Sequence, residues 1–335
     1  MIQYWFLTLT EWARLPKVVL ASVLFLLLGT LFAALSGLLT TTSTDHPDFV
    51  LSLGTCLFFA FINAYAIVGG AYVLQRTEGV LDQVADSANL SAEERQNLRS
   101  NIRGLSSKGA ITLMLAGLAG AVLHNLLLQG GWSGLISSLQ RNAVDVAATV
   151  GTTLTWIVLV HVATAFSRNA LAFAKLTERL DLDLATPTTL APFGTIAIVP
   201  TLGLVGTQLP YPLLWLDGSY NLTAVLPGFT GTLITLLYLF FQPSLPLHRR
   251  LKSAKLAEQT RIEAMVVEWR QSHNTATRES LAQLQPLLAY REYVASLPIW
   301  PFDMSALARW GFYLTIPPLT WVAAALVEML LERFV

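Results

Sequence analysis

The feature that most constrains this chain is its set of long apolar runs without charge, separated by gaps of unequal basicity. A helix needs roughly 20 apolar residues to cross a hydrocarbon core of ~30 Å. Seven runs satisfy or approach that length: Val18 to Leu39, Phe49 to Gln75, Ala110 to Gly131, Val146 to Phe166, Leu190 to Leu209, Leu222 to Phe241 and Trp310 to Leu331. Of the 21 Lys and Arg residues, all but Arg141 and Arg333 lie in the N-terminus and in alternate gaps. Those gaps hold Arg14 and Lys17, then Arg76 to Lys108, then Arg168, Lys175 and Arg179, then Arg249 to Arg309. Basic residues stay on the side from which a chain is inserted, so the pattern predicts a cytoplasmic N-terminus and an outward C-terminus.

Composition agrees. The chain is 54% hydrophobic and 13% charged, against ~25% charged for ordinary soluble domains, which argues against a soluble fold. Its 21 basic and 21 acidic residues cancel, leaving no overall pull toward nucleic acid. The single cysteine, Cys56, lies inside an apolar run, which excludes a disulfide framework and a cysteine metal site. Glycine-rich phosphate loops, His-Glu-x-x-His and Gly-x-Ser-x-Gly motifs are absent. The sequence therefore predicts no cofactor, no resident metal and no catalytic residues.

The predicted fold is an all-α polytopic transmembrane bundle of about seven spans with cytoplasmic helical hairpins. Residues 1–75 form an N-terminal interfacial segment and two spans, and 76–109 a cytoplasmic hairpin. Residues 110–242 form spans three to six, 243–303 a second cytoplasmic hairpin, and 304–335 the last span. In the first hairpin, Ser91 with Glu94 matches a capping box, which supplies acceptors to the first unpaired amides of a helix. In the second, Leu251, Ala254, Ile262, Met265 and Trp269 are placed to pack on Leu281, Leu284, Leu288 and Val294, with Pro286 as a kink. After the fourth span, Arg168 to Asp183 reads as a continuation of the same helix. The proline-rich fifth span could instead be re-entrant.

Trp300 and Phe302, beside Asp303, sit where an inner aromatic belt belongs, together with Trp310 and Tyr313. The element Trp300-Pro301-Phe302-Asp303, followed by Arg309 and the Pro317 to Glu328 stretch, with Leu180 to Phe193 as a second patch, resembles an uncharacterised group of bacterial multi-span inner-membrane proteins. The resemblance implies a bacterial inner-membrane setting and the order of elements. It implies no activity.

Polar groups inside spans are costly and so mark candidate sites. His124 falls ~21 Å from the cytoplasmic end of its span and Asn63 ~18 Å, at 1.5 Å per residue, so the two are placed to pair if their helices are neighbours. Gly117, Gly120 and Ala121 share the face of His124 and admit a close backbone. Interhelical pairing is favoured there over a proton or ion site. His161, on a stripe with Thr149, Thr153 and Thr164, is only ~7 Å deep, too far from His124 in depth to share a metal. Glu328, late in the last span, reads as a carboxylate at the outer headgroups. Nearly all polar sequence is assigned to the cytoplasm. That assignment predicts a non-enzymatic protein acting in assembly or signalling through its hairpins, with the bilayer, a second copy or a cytoplasmic protein as partners. The alternative is a channel or small-solute transporter.

Overall fold

The computed structural model describes residues 1–40, 47–180, 191–215, 222–272, 278–300, 302, 307–308, 310–316 and 319–322. Six helices among them are long and apolar enough to cross a membrane: Lys17–Leu35, Phe49–Val84, Ser107–Leu128, Ala143–Arg179, Pro192–Trp215 and Leu226–Ser272. The chain is an all-α polytopic bundle, an integral membrane protein. In order, its helices are α1 (Trp5–Ala13), α2 (Lys17–Leu35), α3 (Pro47–Val84), α4 (Ala92–Arg103), α5 (Ser107–Leu128), α6 (Trp132–Arg141), α7 (Ala143–Leu176), α8 (Ala191–Val205), α9 (Leu222–Ser272) and α10 (Arg278–Ser296). The predicted seventh span is helical at 310–316 and 319–322. Its remainder, including Glu328, lies outside the described residues, as does Asp303.

The helix α3 is central, with most of its apolar window buried, whereas α2 and α5 are largely exposed. Leu26 and Leu27 on α2, Ile111, Leu115, Leu123 and Leu127 on α5, and Leu233, Ile234 and Leu237 on α9 point away from the protein. Such continuous apolar faces are what lipid tails cover.

Several helices run further than their apolar segments. The helix α3 passes its expected end at Gln75 and continues to Val84, so the first half of the predicted 76–109 hairpin is an extension of the second span. The chain then turns with Asn89 at φ 49°, a left-handed conformation that Asn tolerates. Ser91 caps α4 as expected: its hydroxyl accepts from the Glu94 amide at 3.2 Å while the Glu94 carboxylate accepts from the Ser91 amide at 3.0 Å. The predicted continuation of span four is present in α7. The helix α9 runs unbroken through Pro227, Pro243 and Pro246. The expected boundary at Pro243 is therefore absent, and beside it the Ser244 hydroxyl bonds back to the Phe240 carbonyl at 2.7 Å. Hydroxyls of this kind ease prolines within membrane helices.

At the end of the bundle that carries α4, the N-terminus is strapped down. A short antiparallel ladder pairs β1 (Ile2–Gln3) with β2 (Gly104–Leu105). Tyr4, Phe6 and Leu7 enter the main core, where they meet Leu74, Leu81, Val162, Phe166 and Phe173. Arg168 donates from one nitrogen to the Tyr4 hydroxyl and to the Gly104 carbonyl, both at 3.1 Å. Outside this core, Arg103 bridges Glu11 and Glu78, and Asp82 takes Arg95 and Arg99.

The helices α9 and α10 form an antiparallel hairpin. Ile262 and Val294 are buried in it, Leu251 is buried in the main core instead, and Leu288 is exposed, contrary to the predicted stripe. Pro286 sits inside α10, and the helix continues past it. Lys255 closes the hairpin by donating to the carbonyls of Ala295 at 2.6 Å and Leu297 at 2.9 Å. Arg250 anchors its base to the end of α7 through the carbonyls of Thr177 and Leu180.

Candidate functional site

The glycine stripe of α5 seats another helix, as its sequence implies, and that helix is α7. A Cβ added at Gly117 would come within 2.8 Å of the Ile157 Cα, and one at Gly120 within 2.6 Å of the Trp156 ring. Close approach of this kind requires the smallest residue. It brings the Trp156 indole N–H to the Nδ1 of His124 at 2.9 Å. Because Nδ1 accepts that bond, a neutral imidazole carries its proton on Nε2.

The expected pairing of Asn63 with His124 is not formed. Asn63, fully buried on α3, donates to the Thr155 hydroxyl at 2.9 Å and to the Phe59 carbonyl at 2.8 Å. Its Oδ1 is buried without a donor among the described residues. Both polar residues thus find their partners on consecutive positions of α7, which packs against α3 and α5 alike. Two spans joined by a short connection need not be nearest neighbours when a later helix packs against both.

His161 takes a separate place. Its Nδ1 lies 2.8 Å from the Ile157 carbonyl, and its ring meets Trp5 edge-on at 6.4 Å. The two histidines serve different contacts. Among the described residues no three His, Cys, Asp or Glu side chains come together as a metal site.

Trp300 and Phe302 join a ladder of rings. Trp300 stacks on His248 at 4.1 Å, Phe302 on Trp300 at 5.7 Å, and Phe240 meets Phe302 at 5.4 Å and Trp310 at 4.2 Å. These aromatics tie Trp300, Phe302 and Trp310 to α9. The Trp310 indole extends the tie by donating to the Thr201 hydroxyl of α8 at 2.9 Å.

Beside His124 lies a half-open cavity of about 240 Å³ between α3, α5, α7, α9 and the 3-10 turn Tyr211–Trp215. Phe58, Phe59, Leu159 and Leu204 make its wall largely apolar, while His124, Thr152, Thr155 and Thr232 supply polar atoms. Toward the strapped end, Val158, Val162 and Phe166 are buried in continuous packing. Comparison with protein-family models, curated proteins and solved structures finds no match to the chain. The cavity therefore has to be interpreted from its own chemistry.

That chemistry suits a small, mostly apolar molecule with one or two polar atoms, because pockets of this kind orient ligands through a few placed hydroxyls and ring nitrogens. Sequence reasoning found His124 but missed Trp156, Thr155 and Thr232. A tryptophan near the middle of a span was the available signal, since a buried indole N–H needs an acceptor. The threonines of α9 had no such signal, as threonine also bonds its own helix.

Proposed function

We propose that this is a multi-pass protein of the bacterial inner membrane, with its N-terminus in the cytoplasm and its C-terminus outside, that acts non-enzymatically in assembly or signalling through its helical hairpins. The observation that carries this reading is the continuity of α9. Near its start Gly228 and Thr232 line the cavity, and near its end Ile262 is buried in the hairpin with α10. Thirty residues separate Thr232 from Ile262, or ~45 Å at 1.5 Å per residue, in one continuous helix. A molecule seated against Thr232 would bias the same rod that carries the hairpin, which is the physical coupling a signalling element needs.

The hairpin surface supports a protein contact. Leu256, Val267, Tyr290 and Tyr293 are each more than a third exposed, and apolar surface outside a lipid-covered zone favours a second copy or a cytoplasmic protein. The charge asymmetry of the gaps supports the orientation. The likeness to the bacterial Trp-Pro-Phe-Asp group supports the setting.

A photo-crosslinker placed at Tyr293 in the full chain, in native membranes, tests this. A single adduct, identified by mass as a second copy or one protein, is expected, and Leu256→Asp with Val267→Asp should abolish it. No adduct at Tyr293 or at Val267 would overturn the reading. Orientation is tested by Arg261→Cys, which should resist an impermeant thiol reagent added from outside; Cys56 is buried and gives little background. The second reading, transport of a small solute, is favoured by the cavity reaching His124. His124→Leu in proteoliposomes separates the two: unchanged flux fits assembly, and lost flux fits transport.

A further inference from the structure

A second hollow, about 460 Å³, lies between α4 and the last turns of α7. From α7 it is lined by Arg168, Asn169 and Lys175, from the 3-10 turn Thr177–Arg179 that follows by Arg179, and from α4 by Asn97 and Asn101. Arg168 and Lys175 stand seven residues apart on α7 and so share one helix face. Among the described residues Glu94 is the only carboxylate on the wall, and it is taken by Arg179. That contact, first among several, and the Ser91 amide hold the Glu94 carboxyl down at about 2. The pair closes one end of the groove. Arg168, lodged against Tyr4 and Gly104, closes the other and spends a single nitrogen on both bonds, with its remaining N–H donors uncommitted among the described residues.

Among the described residues, three cations face one carboxylate in the groove, an excess of positive charge. A basic groove alone would be a solvated surface. Asn169 makes the difference: it is 4% exposed, it lines the groove, and its Nδ2 has no acceptor among the described residues. A buried amide donor without a partner costs ~1–3 kcal/mol, so such groups persist where something supplies the acceptor. Lys175 is exposed and has no ion-pair partner among the described residues.

We propose that the α4–α7 groove binds a phosphate group, with Lys175 and Arg168 facing its charge and Asn169 donating to one of its oxygens. Phosphate oxygens accept several donors at once, and Lys and Arg are their usual partners. The groove begins about where the apolar run of α7 ends at Phe166, which is the depth of phospholipid headgroups, and basic pockets between membrane helices recognise such headgroups. A soluble organic phosphate presents the same chemistry. This site stands apart from the intramembrane cavity and does not depend on the assembly reading.

The test uses the full chain and two probes. In one arm, native mass spectrometry compares retention of phosphatidylglycerol with phosphatidylcholine. In the other, the melting midpoint is followed in phosphatidylcholine nanodiscs as glycerol 3-phosphate is added. Lys175→Gln should weaken the effective probe about tenfold, the equivalent of one charge-assisted bond, and Lys175→Arg should restore it. Asn169→Leu should weaken it as well; Lys175 is exposed, so its variants fold even if the Asn169 variant does not. Lys175-dependent retention of phosphatidylglycerol assigns the site to a lipid headgroup, and a Lys175-dependent rise with glycerol 3-phosphate assigns it to a soluble phosphate. Neither effect, or equal effects in wild type and Lys175→Gln, would overturn the proposal.

Discussion

The two ends of this bundle hold their polar side chains in different ways. At the strapped end, Arg103 reaches both Glu11 and Glu78, Asp82 takes two arginines, and Arg168 stitches Tyr4 to β2. Around the cavity the polar contacts are single bonds between neutral groups, as in Trp156 to His124 and Asn63 to Thr155. Charges can gather where water shares their solvation, whereas in hydrocarbon each uncompensated charge costs several kcal/mol. The strapped end is therefore a network and the cavity end a set of isolated pairs set by helix packing.

Three changes break or sharpen that contrast. Arg168→Leu should have the largest effect, because it strands the buried Tyr4 hydroxyl and the Gly104 carbonyl together. A loss of about 3 kcal/mol is expected from two charge-assisted bonds, measured as a lower unfolding midpoint in detergent with faster proteolysis near the N-terminus. Gly117→Val comes next. The new side chain meets the Ile157 backbone, and overpacking of this kind costs about 2 kcal/mol. If α7 merely slides, the midpoint falls little but the Trp156–His124 bond breaks, which a change in indole fluorescence reports.

Glu94→Gln should have the smallest effect, and one that disappears in acid. The Glu94 carboxyl is lowered from 4.5 to about 2, chiefly by the hydrogen bond from Arg179. A lowered folded-state value means the carboxylate contributes stability above its unfolded value, and that contribution fades as pH falls from about 4.5 toward 2. Wild type and Glu94→Gln should therefore differ in melting midpoint at neutral pH and converge as pH falls from about 4.5 toward 2. A difference that stays constant with pH would show that the Arg179 contact contributes nothing, as many exposed ion pairs do.

Much of the helical layout was legible because it depends on local quantities. Apolar length located the six spanning helices, and Ser91 with Glu94 announced the start of α4. The continuation of α7 into its basic face was legible for the same reason. The glycine face of α5 correctly signalled a close neighbour. What stayed hidden was which neighbour. Sequence proximity suggested α3 as the partner of His124, and the partner is Trp156 on α7. The cavity was invisible too, since a void is a property of several helices at once. So was the strap, because two residues at the N-terminus hold no signal that they will pair with residues 104 and 105.

By itself, the sequence determined that this chain is a bundle of membrane helices, where most of those helices lie, and which residues carry cost inside the bilayer. Those properties follow from hydrophobic length and from the energy of moving single groups out of water, and both are sums over neighbouring residues. Tertiary structure alone decided that Asn63 and His124 are each answered from α7, that a hollow opens beside them, and that Asn169 is buried in a basic groove with no acceptor among the described residues. These depend on how helix faces meet in three dimensions, which close packing settles jointly for all helices and which no single segment encodes.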